Sequence, residues 1–153
     1  MPEAARAAGA AVADAAAREA DSREVEVEVD AEGGDLPLPA DACERAARAA
    51  LAAAGVSDGH AAIAFVDPER MRQLNAAHRA IDRHTDVLSF PIDGAGPVAG
   101  PRELGDVIVC PDHTDDLEEA IVHGVLHLCG HDDETDGGEM LALQVEIMRS
   151  LRG

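Results

Sequence analysis

Apolar and polar positions change their period several times along this chain, and each change marks an element. Val25, Val27 and Val29 alternate with acids in EVEVEVD, the period-two signature of a strand with one buried face. Gly33-Gly34 and the prolines at 37 and 39 end that run, and Asp41 is placed to cap a helix through DACERAARAALAAAG, which Gly55 terminates. Residues 61–66 (AAIAFV) form a short apolar run expected as a second strand, closed by Asp67-Pro68. A helix from Pro68 to Arg79 then turns Met71 and Leu74 inward. Val87, Leu88 and Phe90 predict a third strand stopped by Pro91, and a Gly/Pro-rich loop follows over 93–101. LGDVIVC (104–110), ended by Pro111, is the best candidate for a central strand. Two helices close the chain, over 115–129 and 137–151. The order β-α-β-α-β-β-α-α predicts one α/β (α+β) domain over 24–153, a small mixed β-sheet flanked by helices. Residues 1–23 are Ala-rich and lack large apolar side chains; they read as a low-complexity tail, disordered or a frayed helix.

Composition narrows the function. A chain of 153 residues is one domain's worth and needs no disulfide to fold. No apolar run approaches the roughly 20 residues that span a bilayer, so no membrane role is expected. Twelve Arg and no Lys face 31 acids, a net charge of −19, which argues against general nucleic-acid binding through a basic surface. Two Phe are the only aromatics, too few for a base-stacking platform. Cys43, Cys110 and Cys129 are scattered, odd in number and without a C-x-x-C pair, as expected of reduced intracellular thiols. The N-terminus has no basic region before an apolar core, so no signal peptide is read and the expected location is cytoplasmic.

The most informative stretch is DDLEEAIVHGVLHLCGHDDE (115–134). Asp115 with Glu118 resembles a capping box, Gly130 suits the position just past a helix end, and the apolar residues between them predict a largely buried helix. His123 and His127 at i and i+4 leave that helix about 40° apart, one turn above the other. Two imidazoles so placed can reach one ion at roughly 2.0–2.1 Å. Gly130 allows a sharp reversal that returns residues 131–133 toward the ion, as in the H-x-x-x-H-x-x-G-x-x-ligand device of zinc peptidases. Asp133 fills the last slot, with His131 as the competing third ligand. Three protein ligands leave an open position, the catalytic arrangement in which a bound water is acidified toward about pH 7. Gly124 stands where a zinc peptidase carries its catalytic Glu, so the metal cradle is present without the peptidase base.

One local positive island exists. RMRQLNAAHRAIDRH (70–84) holds Arg70, Arg72, Arg79 and Arg83 against a single acid, Asp82. Arginine forks suit phosphate oxygens, although arginines on a helix are as a rule solvated and paired with nearby acids. By contrast, 112–139 is strongly acidic and carries no Arg, which predicts weak binding of isolated RNA and reliance on a partner.

Three stretches together resemble a known family. NAAHRAIDRHTDVLSFP (75–91), LGDVIVC (104–110) and HGVLHLCGHDD (123–133), in this order, are similar to the hallmark segments of the YbeY endoribonucleases, bacterial rRNA maturation factors, over residues 24–151. The resemblance implies one Zn2+ ion per chain on His123, His127 and Asp133, the last standing where most members carry a third His, with His131 where they usually carry an aromatic. It implies that Arg79 acts in catalysis or contacts RNA phosphate, with His78 replacing the usual preceding aromatic and residues 85–90 lining the same cleft. His84 and Asp86 are weaker candidates, for orienting a ligand or moving a proton. The implied activity is cleavage of single-stranded RNA in maturation of the 16S rRNA 3′ end and in ribosome quality control, with the small ribosomal subunit and ribosomal proteins as partners. Two other readings are a non-catalytic ribosome assembly factor with a structural metal, and a zinc peptidase, against which Gly124 argues.

Overall fold

The computed structural model describes residues 25–79, 86–93 and 97–153, with the side chains of His78 and Arg79 outside the description. The elements are β1 (Val25–Ala31), α1 (Ala40–Ala53), β2 (Gly59–Phe65), α2 (Pro68–Arg79), β3 (Val87–Pro91), β4 (Glu103–Val109), a 3-10 turn (Pro111–His113), α3 (Leu117–Leu128) and α4 (Glu139–Arg152). This is the order the periodicity predicts. The Ala-rich stretch 1–23 lies outside the described residues.

Four strands form one mixed sheet in the order β1-β2-β4-β3. β1, β2 and β4 run parallel, and β3 returns antiparallel along β4, from Val87 opposite Val109 to Pro91 opposite Gly105. β4 is thus an interior strand, as its apolar run predicts. Pairing with β2 slips at one point: His60 faces Glu103 and Ala61 faces Gly105, so Leu104 is an extra, fully buried residue in β4. Gly105 sits at φ +132°, and a Cβ there would fall 2.2 Å from the Phe90 carbonyl oxygen. Only glycine lets β3 pair so closely at that point.

The main core lies on one face of the sheet. Ala61, Ile63, Phe65, Val107 and Val109 pack against Ile121, Val125, Leu126 and Leu128 of α3, with Leu143 and Ile147 of α4 beyond. The side of α1 that enters this core is mostly alanine (Ala46, Ala47, Ala49, Ala50), small enough for close approach to its neighbours. A smaller cluster on the opposite face joins Val66, Met71, Leu88 and Cys110 with Leu74, Phe90 and Ile108, and it docks α2. Met71 and Leu74 point inward as the helical spacing predicts. Each fully buried large side chain in these clusters is worth roughly 1.5–3 kcal/mol relative to exposure.

Two helix starts differ from expectation. α1 begins directly after Pro39, which serves as N-cap without a side-chain bond, so Asp41 lies inside the first turn. Pro39 has the extended conformation that an N-cap needs, and its carbonyl oxygen accepts from Cys43 N at 3.1 Å. In α3 the cap is Asp116, not Asp115: its Oδ1 accepts from the Glu119 amide at 3.1 Å. Asp116 also receives Arg152 at 2.6 Å, and that hydrogen bond holds its carboxyl below the usual range.

Candidate metal centre

α3 is the best-buried helix of the site. Ala120, Ile121, Val122, Gly124, Val125, Leu126 and Leu128 are covered by the sheet and the neighbouring helices. Beyond Leu117 and Glu118 of its first turn, the remaining strip reads Glu119, His123, His127, one residue per turn, and the two imidazoles on it line a cavity with Val87, Ser89 and Pro91 of β3. Gly124 is where the helix meets the sheet: a Cβ there would lie 2.5 Å from Val107 Cγ1 and 3.2 Å from Val87 Cγ2. The missing peptidase Glu therefore has a structural cause, because this position has no room for a side chain. Ser89 Oγ donates to the Gly124 carbonyl at 2.9 Å and ties β3 to α3 alongside the imidazoles.

The helix ends in a reversal that the sequence anticipates. Gly130 takes φ +99°, the His131 amide bonds the Leu126 carbonyl at 3.1 Å, and the Gly130 amide bonds the His127 carbonyl at 3.0 Å. These two bonds define a Schellman motif. Beyond it Asp133 returns to the helix end. His123 Nε2 and His127 Nε2 are 3.2 Å apart, and Asp133 Oδ1 lies 3.1 Å from the latter and 3.9 Å from the former. Ligand atoms around a tetrahedral zinc ion at 2.0–2.1 Å sit roughly 3.3 Å from one another. The three donors fit that spacing, and among the described residues they are the one group of three His, Cys, Asp or Glu with ligand atoms so gathered.

Both imidazoles are held from behind. His127 Nδ1 donates to the His131 carbonyl at 2.9 Å, and His123 Nδ1 donates to Gln144 Oε1 at 2.8 Å. With the proton at Nδ1, each Nε2 presents its lone pair to the common point, as a metal-binding imidazole must. All three donor side chains are about a quarter exposed, so the point between them is open on one side. Two adjoining cavities meet there at Val87 and His123. One, of about 390 Å3, includes Asp86, Asp115, Asp116, Glu119 and Gln144 in its lining; the other, of about 260 Å3, is formed by Val87, Ser89, Pro91, His123 and His127.

His123, His127 and Asp133 come together as the spacing predicts, whereas His131 enters through its backbone oxygen and its ring is not among the gathered donors. Burial lowers the His131 pKa. Asp86 lines the larger cavity; His84 and Arg83 lie outside the described residues, as does the Arg79 side chain at the end of α2. Arg70 and Arg72 are paired with Glu32 at 3.4 Å and Glu69 at 2.6 Å, so these members of the basic island follow the ordinary pattern of helix arginines. Cys43, Cys110 and Cys129 are free thiols; burial pushes Cys129 up to about 12 and Cys43 to about 11, the range of unreactive packing residues. Gln144 was not anticipated from the sequence. Its signal was there: on α4 it shares the face of Met140, Leu143, Ile147 and Met148, a lone amide on an apolar stripe.

A family model described as endoribonuclease YbeY matches residues 28–152, from within β1 through α4. The chain belongs to the YbeY endoribonuclease family. Among similar YbeY proteins, that of Rubrobacter xylanophilus is 40% identical over 98 residues, covering 62% of this chain and 70% of the relative. The YbeY of a Chelativorans species is 38% identical over 123 residues, covering 68% and 76%, and that of Acinetobacter baylyi 39% over 115 residues, covering 62% and 71%. The solution structure of TM1509 from Thermotoga maritima superposes with a TM-score of 0.54 at 23% identity, over 82% of this chain and 88% of that one, which supports the same fold. The YbeY match spans all three donors of the site, and among the described residues no helix is long and apolar enough to cross a membrane.

Proposed function

We propose that this YbeY chain is a zinc-dependent, single-strand-specific endoribonuclease of the cytoplasm. Its role is maturation of the 16S rRNA 3′ end and ribosome quality control, with the small ribosomal subunit and its proteins as partners. The observation that carries the metal-dependent reading is the convergence of His123 Nε2, His127 Nε2 and Asp133 Oδ1 within 3.1–3.9 Å, each imidazole already holding its proton on the far nitrogen. When bound there, one zinc ion supplies Lewis acidity to a phosphodiester or to water.

The protein's own groups do the rest. His123, His127 and Asp133 would hold the ion with one anionic ligand, which would leave the centre a net positive charge within a chain of −19, a local charge suited to a phosphate where the surroundings repel one. The carboxylates of Asp86, Asp115, Asp116 and Glu119 crowd one side of the site, so the RNA backbone is favoured on the side of Ser89, Pro91 and His127. We assign to Arg79 the stabilisation of the negative charge that builds on the phosphoryl oxygens in the transition state. The cleft beside β3 admits one strand more readily than a duplex, whose second phosphate row would meet the acidic wall.

Cleavage of a single-stranded RNA by the purified chain, with zinc content measured on the same sample, tests this reading. His123→Ala should lose both zinc and cleavage. Arg79→Ala should keep zinc and fold while cleavage falls by about 10²–10³, the usual effect of removing one charge-stabilising donor. Wild-type protein with stoichiometric zinc and no RNA cleavage would overturn the proposal. Full rRNA processing by Arg79→Ala would point instead to an assembly factor with a structural metal.

A further inference from the structure

The two imidazoles of the centre are secured in different ways. His127 is held by main chain, the carbonyl of His131, within the same helix-ending turn that brings back Asp133. His123 is held by a side chain from another element, Gln144 of α4, 21 residues further on. Gln144 is 9% exposed, and its neighbours on that face of α4 are apolar. Burying a polar amide among Leu143, Ile147 and Met148 costs free energy unless its hydrogen bonds are made.

We infer that Gln144 is the positioning residue of the metal centre: its carbonyl oxygen fixes the Nδ1-protonated tautomer of His123 and so points the Nε2 lone pair at Asp133 and His127. The inference rests on reading the three donors as a metal site, and it adds a requirement from α4. The chemistry is one-sided. An acceptor at Nδ1 keeps the proton there and frees Nε2, whereas a donor would take the Nδ1 lone pair and leave the proton on Nε2, where it blocks coordination. Gln144 Oε1 at 2.8 Å provides the acceptor. A neutral amide does so without adding a second anion behind the ring. His123 therefore remains a weaker donor than a carboxylate-backed imidazole, and the ion keeps more of its Lewis acidity.

The test uses the full chain with zinc alone as the probe, in Gln144→Met, close in volume and without an acceptor, and in Gln144→Glu, which keeps the acceptor. Zinc affinity from competition with a chromophoric chelator should fall 10–100-fold in Gln144→Met, the range seen when a group behind a ligand is removed. Gln144→Glu should bind zinc at least as tightly as wild type. In metal-free protein, nitrogen NMR of His123 should report a protonated Nδ1 in wild type and Gln144→Glu, and a shift toward protonated Nε2 in Gln144→Met. Thermal melting should show Gln144→Met folded, because a buried amide gives way to an apolar group of similar size. Unchanged zinc affinity in Gln144→Met, an unchanged His123 tautomer, or a Gln144→Glu variant as weak as Gln144→Met would overturn the inference. A wild-type chain that binds no zinc would overturn the metal-site reading, while the NMR comparison would still decide whether Gln144 sets the tautomer.

Discussion

Gly124→Ala is the sharpest perturbation of the helix that carries the imidazoles. The added methyl would lie 2.5 Å from Val107 Cγ1 and 3.2 Å from both Val107 Cγ2 and Val87 Cγ2, against an ordinary carbon contact of about 3.5–4.0 Å. Val107 cannot turn aside cheaply. It is fully buried, paired with Ile63 on one side and Ser89 on the other, and β-branched, so its χ1 has few alternatives. The helix must instead retreat by about 1 Å, and overpacking of this kind costs roughly 1–3 kcal/mol. Replacing a mid-helix glycine returns about 0.5–1 kcal/mol, so the net loss should lie near 1 kcal/mol and reach at most about 2.5 kcal/mol, with each kcal/mol lowering Tm by roughly 2–4 °C in a domain of this size. Urea and thermal unfolding measure it directly. Adding Val107→Ala removes the two closest carbons, so the double variant should be more stable than the summed single losses by at least about 1 kcal/mol. A Gly124→Ala protein as stable as wild type, or strictly additive losses in the double variant, would refute the close-approach account of this glycine.

Other outcomes follow from single contacts. Asp116→Ala removes the α3 cap and should cost about 0.5–2 kcal/mol in urea unfolding, while Asp115→Ala should stay within about 0.5 kcal/mol of wild type; equal losses would contradict the cap assignment. His60 bonds Glu103 at 2.8 Å through Nδ1 and Glu28 through Nε2, linking β1, β2 and β4, and those bonds, to Glu103 first, raise its pKa above 6.5. A folded-state pKa above the unfolded one means that the stabilisation is complete below about pH 6.5 and is lost as pH rises through the raised value. The urea midpoint should therefore decline across that window in wild type, by more than in His60→Gln; identical profiles would exclude His60 as the cause. Generic single-stranded RNA should bind the isolated chain no tighter than roughly 10⁻⁶ M at about 150 mM salt, by fluorescence anisotropy, since acids line one side of the site. Tight, salt-resistant binding would show that the acidic wall is not felt.

Much of the fold was legible because burial here follows simple periods. Val25, Val27 and Val29 face the core while Glu26, Glu28 and Asp30 face outward, and residues 68–79 form the helix that their Met71 and Leu74 spacing implies. The gathering of His123, His127 and Asp133 was legible for the same reason: a helix fixes what lies four residues apart, and a left-handed glycine fixes the turn that follows. Choices between neighbouring equivalents were less so. Asp115 and Asp116 carry the same carboxylate, and only the folded turn shows which one caps α3, through the Asp116 bond to the Glu119 amide. The order β1-β2-β4-β3 depends on pairing across long sequence separations, which periodicity does not encode. Gln144 reaches His123 only once α4 folds back on α3, so its partner could not be read from local spacing.

Because the oxygen that receives the His127 proton belongs to the main chain of residue 131, its placement does not depend on what residue 131 carries. An exchange of the side chain at that position leaves the acceptor of the His127 proton in place. Gly130 offers no such freedom: at φ +99° a β-carbon strains the turn that brings Asp133 back to the imidazoles. The hinge of this centre is thus a residue that touches no ligand at all.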